Sequence, residues 1–305
     1  MNDKVYLTDP GVFKKDNVFY YHKDNKQVHN KIILKRLSQF VVPPAWISVW
    51  YATRVDSHIQ VYGIDKAGKK QYILSDDWIS QQNNNKYSRL KDFIKKLPGF
   101  RKKITIHTFH NDRETLIKLL FNLLLDTHIR IGNEVYAEQN KTYGLTTLLR
   151  KHLHYTNEEG YSFSFVGKSG IKHNIHIPTS YNTFMKYIIE SKTAGKHLFI
   201  DNEGYNINSD MMNNYLRTHM GEKYSCKDFR TYSANIVFIK NFIKNYKKFN
   251  FKKSLRLSVE CTAIQLGHSK IICKDSYISK NLLQYIEGHH SLKDHFEYQE
   301  LLNNI

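Results

Sequence analysis

The run Gln265-Leu266-Gly267-His268-Ser269-Lys270, continued by Ile271-Ile272-Cys273-Lys274-Asp275-Ser276-Tyr277, sets a Leu-Gly-His turn nine residues ahead of a tyrosine. By itself the run says little, because His268 reads as a helix-start residue after Gly267 and Tyr277 is one of 21 tyrosines. Its weight comes from what stands upstream. Lys227-Asp228-Phe229-Arg230-Thr231-Tyr232 and Ile129-Arg130-Ile131-Gly132 each hold an arginine, and Lys168 lies in the turn Gly167-Lys168-Ser169-Gly170. Taken singly, Arg130 is a helix C-terminal arginine that satisfies carbonyls and the dipole. Lys168 alone is a solvent-facing turn lysine, and Arg230 alone a surface ion-pair partner.

Local patterns place these residues on elements. Residues 18–21, 47–51 and 59–64 are rich in β-branched and aromatic side chains, which predicts a small antiparallel sheet. The stretch after residue 64, Asp65-Lys66-Ala67-Gly68-Lys69-Lys70, leads into the strand-like residues 71–74, so a hairpin turning at Gly68 with a cationic tip is expected. Residues 80–88 have no hydrophobic period and read as a linker, which puts a domain boundary near Asn84: residues 1–83 β-rich, residues 84–305 mainly helical. The clearest helix covers residues 113–131, capped by Asn111 or Asp112 and stopped by Gly132, with Arg130 in its last turn. One hairpin interrupts the helices: residues 161–166 alternate, Gly167 to Gly170 turn, and residues 171–177 alternate back.

Together these segments resemble the catalytic domain shared by type IB topoisomerases and tyrosine recombinases, in which two arginines, a lysine on a Gly-Lys hairpin, and a Leu-Gly-His turn precede a nucleophilic tyrosine. Five positions in one order are far harder to meet by chance than any one of them. Within that group, Pro43-Pro44-Ala45-Trp46, the Gly-Lys-Lys-Gln-Tyr core of residues 68–72, Tyr136 and Asn140-Lys141-Thr142-Tyr143-Gly144-Leu145 are similar to the small topoisomerases of bacteria and large DNA viruses. The resemblance spans about residues 40 to 290. Asn133 and Val135 depart from the lysines common in viral members, which bears on target-site preference.

The resemblance implies an α+β protein with a β-rich N-terminal domain and a mainly α-helical catalytic domain. It implies relaxation of supercoils by transient cleavage of one strand. Tyr277 would form a 3′-phosphotyrosyl link, Arg130 and Arg230 would grip the non-bridging oxygens through planar guanidinium forks, and His268 would add a further hydrogen bond. Lys168 would protonate the departing 5′ oxygen, with help from Arg230 or Lys227. Lys69, Gln71, Tyr72, Tyr136 and Lys227 would contact DNA, since glutamine can read adenine edges in the major groove. One phosphodiester is exchanged for another of similar energy, and cationic side chains supply the charge. Neither ATP nor a metal cofactor is therefore expected. A tyrosine recombinase, or a basic DNA-binding protein that has lost catalysis, are the competing expectations.

The bulk composition agrees with a polyanionic partner. Lys and Arg number 46 against 28 acidic residues, a net charge of +18, spread along the chain. Nucleic acid suits that charge better than a membrane, and the resemblance implies double-stranded DNA bound by a monomer. A spanning helix needs about 18 apolar residues in a row, and the richest run, Leu116 to Leu125, is broken by Lys118 and Asn122. The N-terminus lacks a secretory pattern, so an intracellular protein is expected. Cys226, Cys261 and Cys273 are odd in number and have no paired metal-ligand spacing, so they read as free thiols. His173 and His176 fall on opposite faces of a strand, which argues against a shared metal. Lys240, Lys244, Lys247, Lys248, Lys252 and Lys253 fit a solvated helix face and phosphate contact equally well.

Overall fold

The computed structural model describes residues 9–191, 195–292 and 295–305, and the chain divides into two compact units, Met1–Lys86 and Tyr87–Ile305. The first is built on a five-stranded antiparallel sheet in the order β2-β1-β3-β4-β5. Its strands are β1 (Val12–Lys15), β2 (Val18–Tyr21), β3 (Ile47–Tyr51), β4 (Ile59–Ile64) and β5 (Lys70–Leu74). β1 is an addition to the strands predicted above. It joins β2 through Asp16 and Asn17, both at positive φ, as the tight turns of twisted hairpins require. Helix α1 (Lys31–Ser38) starts at Asn30, whose side chain accepts from the N–H groups of Ile32 and Ile33. Val12, Phe19, Val28, Leu37, Tyr51 and Val61 form this unit's core.

Helix α2 (Asp76–Lys103) includes residues 80–88, the tract expected to be a linker. The polar run is helical because the helix draws its apolar stripe from further along, where Tyr87, Leu90, Phe93, Leu97 and Phe100 are buried at helical spacing. Gln and Asn side chains on an exposed face cost a helix little.

The second unit adds α3 (Arg113–Thr127), α4 (Glu134–Asn140), a three-stranded antiparallel sheet β6 (Leu153–Thr156), β7 (Gly160–Val166) and β8 (Lys172–His176), then α5 (Asn182–Glu190), α6 (Ser209–Met220), α7 (Cys226–Tyr246), α8 (Phe251–Leu266), α9 (Lys270–Ser276), α10 (Lys280–His289) and α11 (Tyr298–Asn303). Aromatic rings lock its centre: Phe100 meets Phe121 edge-on at 5.0 Å, and Phe93 meets Phe229 at 4.9 Å. Phe229 therefore anchors the start of α7, one residue before Arg230.

α3 stops earlier than expected. It is capped by Asp112, whose carboxylate accepts from the Thr115 N–H at 2.9 Å, but it ends at Thr127, because His128 takes a left-handed conformation with φ 57°. Arg130 is thus not in the last turn of a helix. It lies on the non-helical segment that follows, pinned by Leu145 and Thr146, whose N–H groups donate to the carbonyls of Arg130 and Ile131 at 2.7 Å each. This close approach needs glycine: a Cβ on Gly144 would stand 2.5 Å from the Gly132 nitrogen. Among the described residues no helix is long and apolar enough to cross a membrane.

Candidate active site

The start of α7 is fixed before Arg230 is reached. Asp228 accepts from the Ser225 N–H at 2.9 Å, closing a capping box, and its other oxygen takes the Arg89 Nε at 2.9 Å. Arg230 follows, 8 % exposed. Its guanidinium donates to the carbonyls of His128 and Leu266, and its Nε and Nη2 lie 3.2 and 3.1 Å from His268 Nε2. The left-handed end of α3 and the end of α8 are both tied to this one side chain.

Gly267 closes α8 in the left-handed region, φ 60°, and the next N–H, that of His268, donates to the Ala263 carbonyl at 2.8 Å. Ser269 then caps α9, and Tyr277 ends it. The Tyr277 ring lies 4.3 Å from the His268 ring, tilted by 38°. Behind the tyrosine, fully buried Asn235 donates to the carbonyls of Tyr277 at 3.0 Å and Thr231 at 2.8 Å, and accepts from the Ser279 N–H at 2.9 Å. Tyr87 donates to the Ile278 carbonyl at 2.7 Å. The tyrosine's backbone is therefore held to the same helix that carries Arg230.

Arg130 Nη2 reaches 3.4 Å from both the Gly267 carbonyl and His268 Nδ1. His268 is thus flanked by two guanidiniums. Burial first, then the charges of Arg230, Arg130, Lys168 and His173, push its pKa down to about 3. The ring is neutral at neutral pH and carries one N–H. Because Arg230 donates to Nε2, the contact pattern assigns that hydrogen to Nδ1, facing Arg130, which has no lone pair to offer. Two donors therefore stand side by side and share no acceptor. Burial, then Arg130, lowers the Arg230 pKa to about 9, which leaves it charged at neutral pH. Burial also lowers Arg130, opposed by Tyr277.

The cleft beside these groups is lined by Arg130, Lys168, His173 and Arg230 and by no carboxylate. Lys168 opens a single turn after Gly167, exposed, with no hydrogen-bond or ion-pair partner among the described residues. So much positive charge without acidic compensation suits an anionic ligand and little else. Among the described residues no group of three or more His, Cys, Asp or Glu side chains gathers.

A model described as eukaryotic DNA topoisomerase I, catalytic core, matches residues 75–300, and one described as bacterial DNA topoisomerase IB, N-terminal domain, matches residues 18–65. The chain belongs to the type IB DNA topoisomerases. It is 31 % identical over 306 residues to DNA topoisomerase 1B of Acanthamoeba polyphaga mimivirus, covering 94 % of this chain and 90 % of that protein. DNA topoisomerase 1 of rabbit fibroma virus is 27 % identical over 75 % of this chain and 73 % of its own, and DNA topoisomerase 1B of vaccinia virus 25 % over 74 % and 71 %. The topoisomerase is an isomerase whose substrate is DNA, with the β-rich and mainly helical parts of its family.

The remaining topoisomerase residues singled out in the sequence sit elsewhere. Lys69, Gln71 and Tyr72 stand on the β4–β5 hairpin, where Gln71 donates to Asp65 at 2.8 Å and Tyr72 packs 5.7 Å from Tyr62. Tyr136 projects from α4, 54 % exposed. Lys227 is exposed in the first turn of α7, three residues before Arg230. Sequence reasoning considered His173 only as a metal ligand and did not single out Asn235. Strand alternation correctly set His173 and His176 apart, but nothing local revealed what the ring of His173 touches.

Proposed function

We propose that the enzyme relaxes supercoiled duplex DNA through a covalent 3′-phosphotyrosyl intermediate formed on Tyr277. The Tyr277 oxygen attacks a backbone phosphorus and loses its proton to water, the bond from phosphorus to the 5′ oxygen breaks, and that oxygen leaves with a proton from Lys168, which regains one from solvent. Rotation of the freed strand releases torsion. Attack of the 5′ hydroxyl reverses the step and restores the phosphodiester, so no high-energy cofactor is consumed.

The observation that carries this reading is the pair of converging donors, Arg130 and His268, beside the tyrosine. Arg130 Nη2 and the His268 Nδ1–H face one another 3.4 Å apart and share no acceptor, Arg130 reaching the Gly267 carbonyl at a long 3.4 Å, and a non-bridging phosphate oxygen offers one acceptor to both. Arg230 is committed to two carbonyls and to His268, so it sets the other groups as well as adding charge. The charge that a divalent cation would neutralise is met by these side chains. All five groups come from one chain, which supports action as a monomer on duplex DNA. Lys69, Gln71, Tyr72, Tyr136 and Lys227 hold the duplex in this reading, inside the cell.

Relaxation of negatively and positively supercoiled plasmid in EDTA without ATP tests it. Wild type is expected to relax both, whereas Tyr277→Phe binds DNA with unchanged affinity and forms no covalent adduct. Adduct formation by that variant would move the nucleophile to another residue.

A further inference from the structure

We infer that His173 is a positioning residue that sets the Lys168 turn against the Gly267-His268 turn. The inference rests on Lys168 acting as proton donor. His173 lies on β8 directly across from Phe165 of β7, and its ring stacks on Phe165 at 5.0 Å with planes 21° apart. Two glycines hold the ring from other directions. A Cβ built on Gly167 would stand 2.7 Å from His173 Cδ2 and Nε2, and one on Gly267 would stand 2.5 Å from Cε1 and 3.1 Å from Nε2. Real Cβ atoms essentially never come under 3.0 Å, so neither glycine can carry a side chain unless the ring moves.

Each of these glycines immediately precedes a residue of the proposed chemistry, Gly167 before Lys168 and Gly267 before His268. One imidazole is therefore the spacer between two turns about a hundred residues apart in sequence. Its ring nitrogens make no hydrogen bond among the described residues, so it acts by shape. Burial, then Arg130 and Arg230, lowers its pKa, which keeps the spacer uncharged in a cationic cleft. Lys168 has no hydrogen-bond or ion-pair partner among the described residues, and Ser169 and Gly170 after it both take positive φ. What aims the ammonium is the placement of the turn, and an error of about 1 Å in such placement can cost about 100-fold in rate.

The test is single-turnover cleavage of a duplex carrying either the normal 5′ bridging oxygen or a bridging sulfur at the scissile position. Sulfur leaves as a thiolate, since a thiol ionises near pH 8.5, and needs no proton donor. His173→Ala and Gly167→Ala are each expected to slow cleavage of the oxygen substrate about 100-fold and to approach the wild-type rate on the sulfur substrate, with DNA affinity unchanged. Lys168→Ala should show the same rescue, and Arg130→Ala should stay slow on both. Gly167→Ala keeps His173 in the chain, so the two variants report independently if one of them folds poorly. If Lys168→Ala is not rescued by sulfur, the proton-donor reading itself fails. If Lys168→Ala is rescued while His173→Ala and Gly167→Ala are slow on both substrates, or normal on both, the positioning role is overturned and Lys168 keeps its part.

Discussion

Two hairpins of this enzyme carry lysines next to glycines between alternating strands, and they are braced differently. In the β4–β5 hairpin everything needed lies within seven residues. Asp65 accepts from the N–H groups of Ala67 and Lys69 at 2.9 Å each and from the Gln71 amide at 2.8 Å, and Gly68 supplies the positive φ. In the β7–β8 hairpin no side chain caps the turn, which closes through the Gly167 N–H on the Ile171 carbonyl at 2.7 Å and the Gly170 N–H on the Gly167 carbonyl at 3.1 Å, and distant elements brace it as well: Gly267 behind the ring of His173, and the Tyr143 N–H on the Val166 carbonyl at 2.8 Å. A self-contained hairpin suits a surface grip. One whose placement depends on the elements carrying Arg130 and His268 suits chemistry, because its lysine moves with the groups it must serve.

The largest expected effect separates the two lysines by kind. Lys168→Ala should slow single-turnover cleavage of an ordinary duplex by about 10²- to 10⁴-fold, the usual worth of a placed proton donor. Lys69→Ala should leave that rate unchanged once DNA is saturating. Equal rate losses in both variants would erase the distinction between chemical and gripping hairpins.

Much of this was legible in the chain. The β4–β5 and β7–β8 hairpins follow from alternation and glycine, and Arg130, Lys168, Arg230, His268 and Tyr277 stand in an order that points to one chemistry. The misread parts have physical causes. The polar run at residues 80–88 is helical because Tyr87, Leu90 and Phe93 bury one side of a helix whose other side is free to be polar. Helix α3 ends at Thr127 because His128 adopts φ 57°, a conformation open to histidine but signalled by no glycine, and the carbonyl of His128 receives Arg230 from 102 residues away. His173 stayed invisible as a spacer because its neighbours Gly167 and Gly267 meet only in the folded chain.

A medium effect tests the gripping side. If Lys69 contacts a phosphate, Lys69→Ala should weaken binding and flatten the slope of log affinity against log salt by about 0.9, one counterion's worth on duplex DNA. Titration of a labelled duplex from low to moderate salt measures it. A slope equal to wild type would remove Lys69 from the phosphate contacts and leave the β4–β5 hairpin without its expected role.

The smallest effects isolate the backbone from its surroundings. Gly68 and Gly170 sit at nearly the same φ, 73° and 74°, and a Cβ on either would meet nothing within 4 Å. Alanine at each position should therefore cost only conformational strain, about 1 kcal/mol, and the two costs should match in urea unfolding. Gly167 differs because its φ is −97°, which any residue adopts, so alanine there costs no backbone strain and gains a little from a less flexible unfolded chain. Any net destabilisation of Gly167→Ala is thus a lower bound on the collision with His173, since the unfolded-chain gain offsets part of it. A Gly167→Ala protein more stable than wild type by the whole unfolded-chain gain would mean that the ring yields without penalty. The β7–β8 turn would then be as self-sufficient as the β4–β5 turn, and the contrast between the two would rest on the chemistry of Lys168 alone.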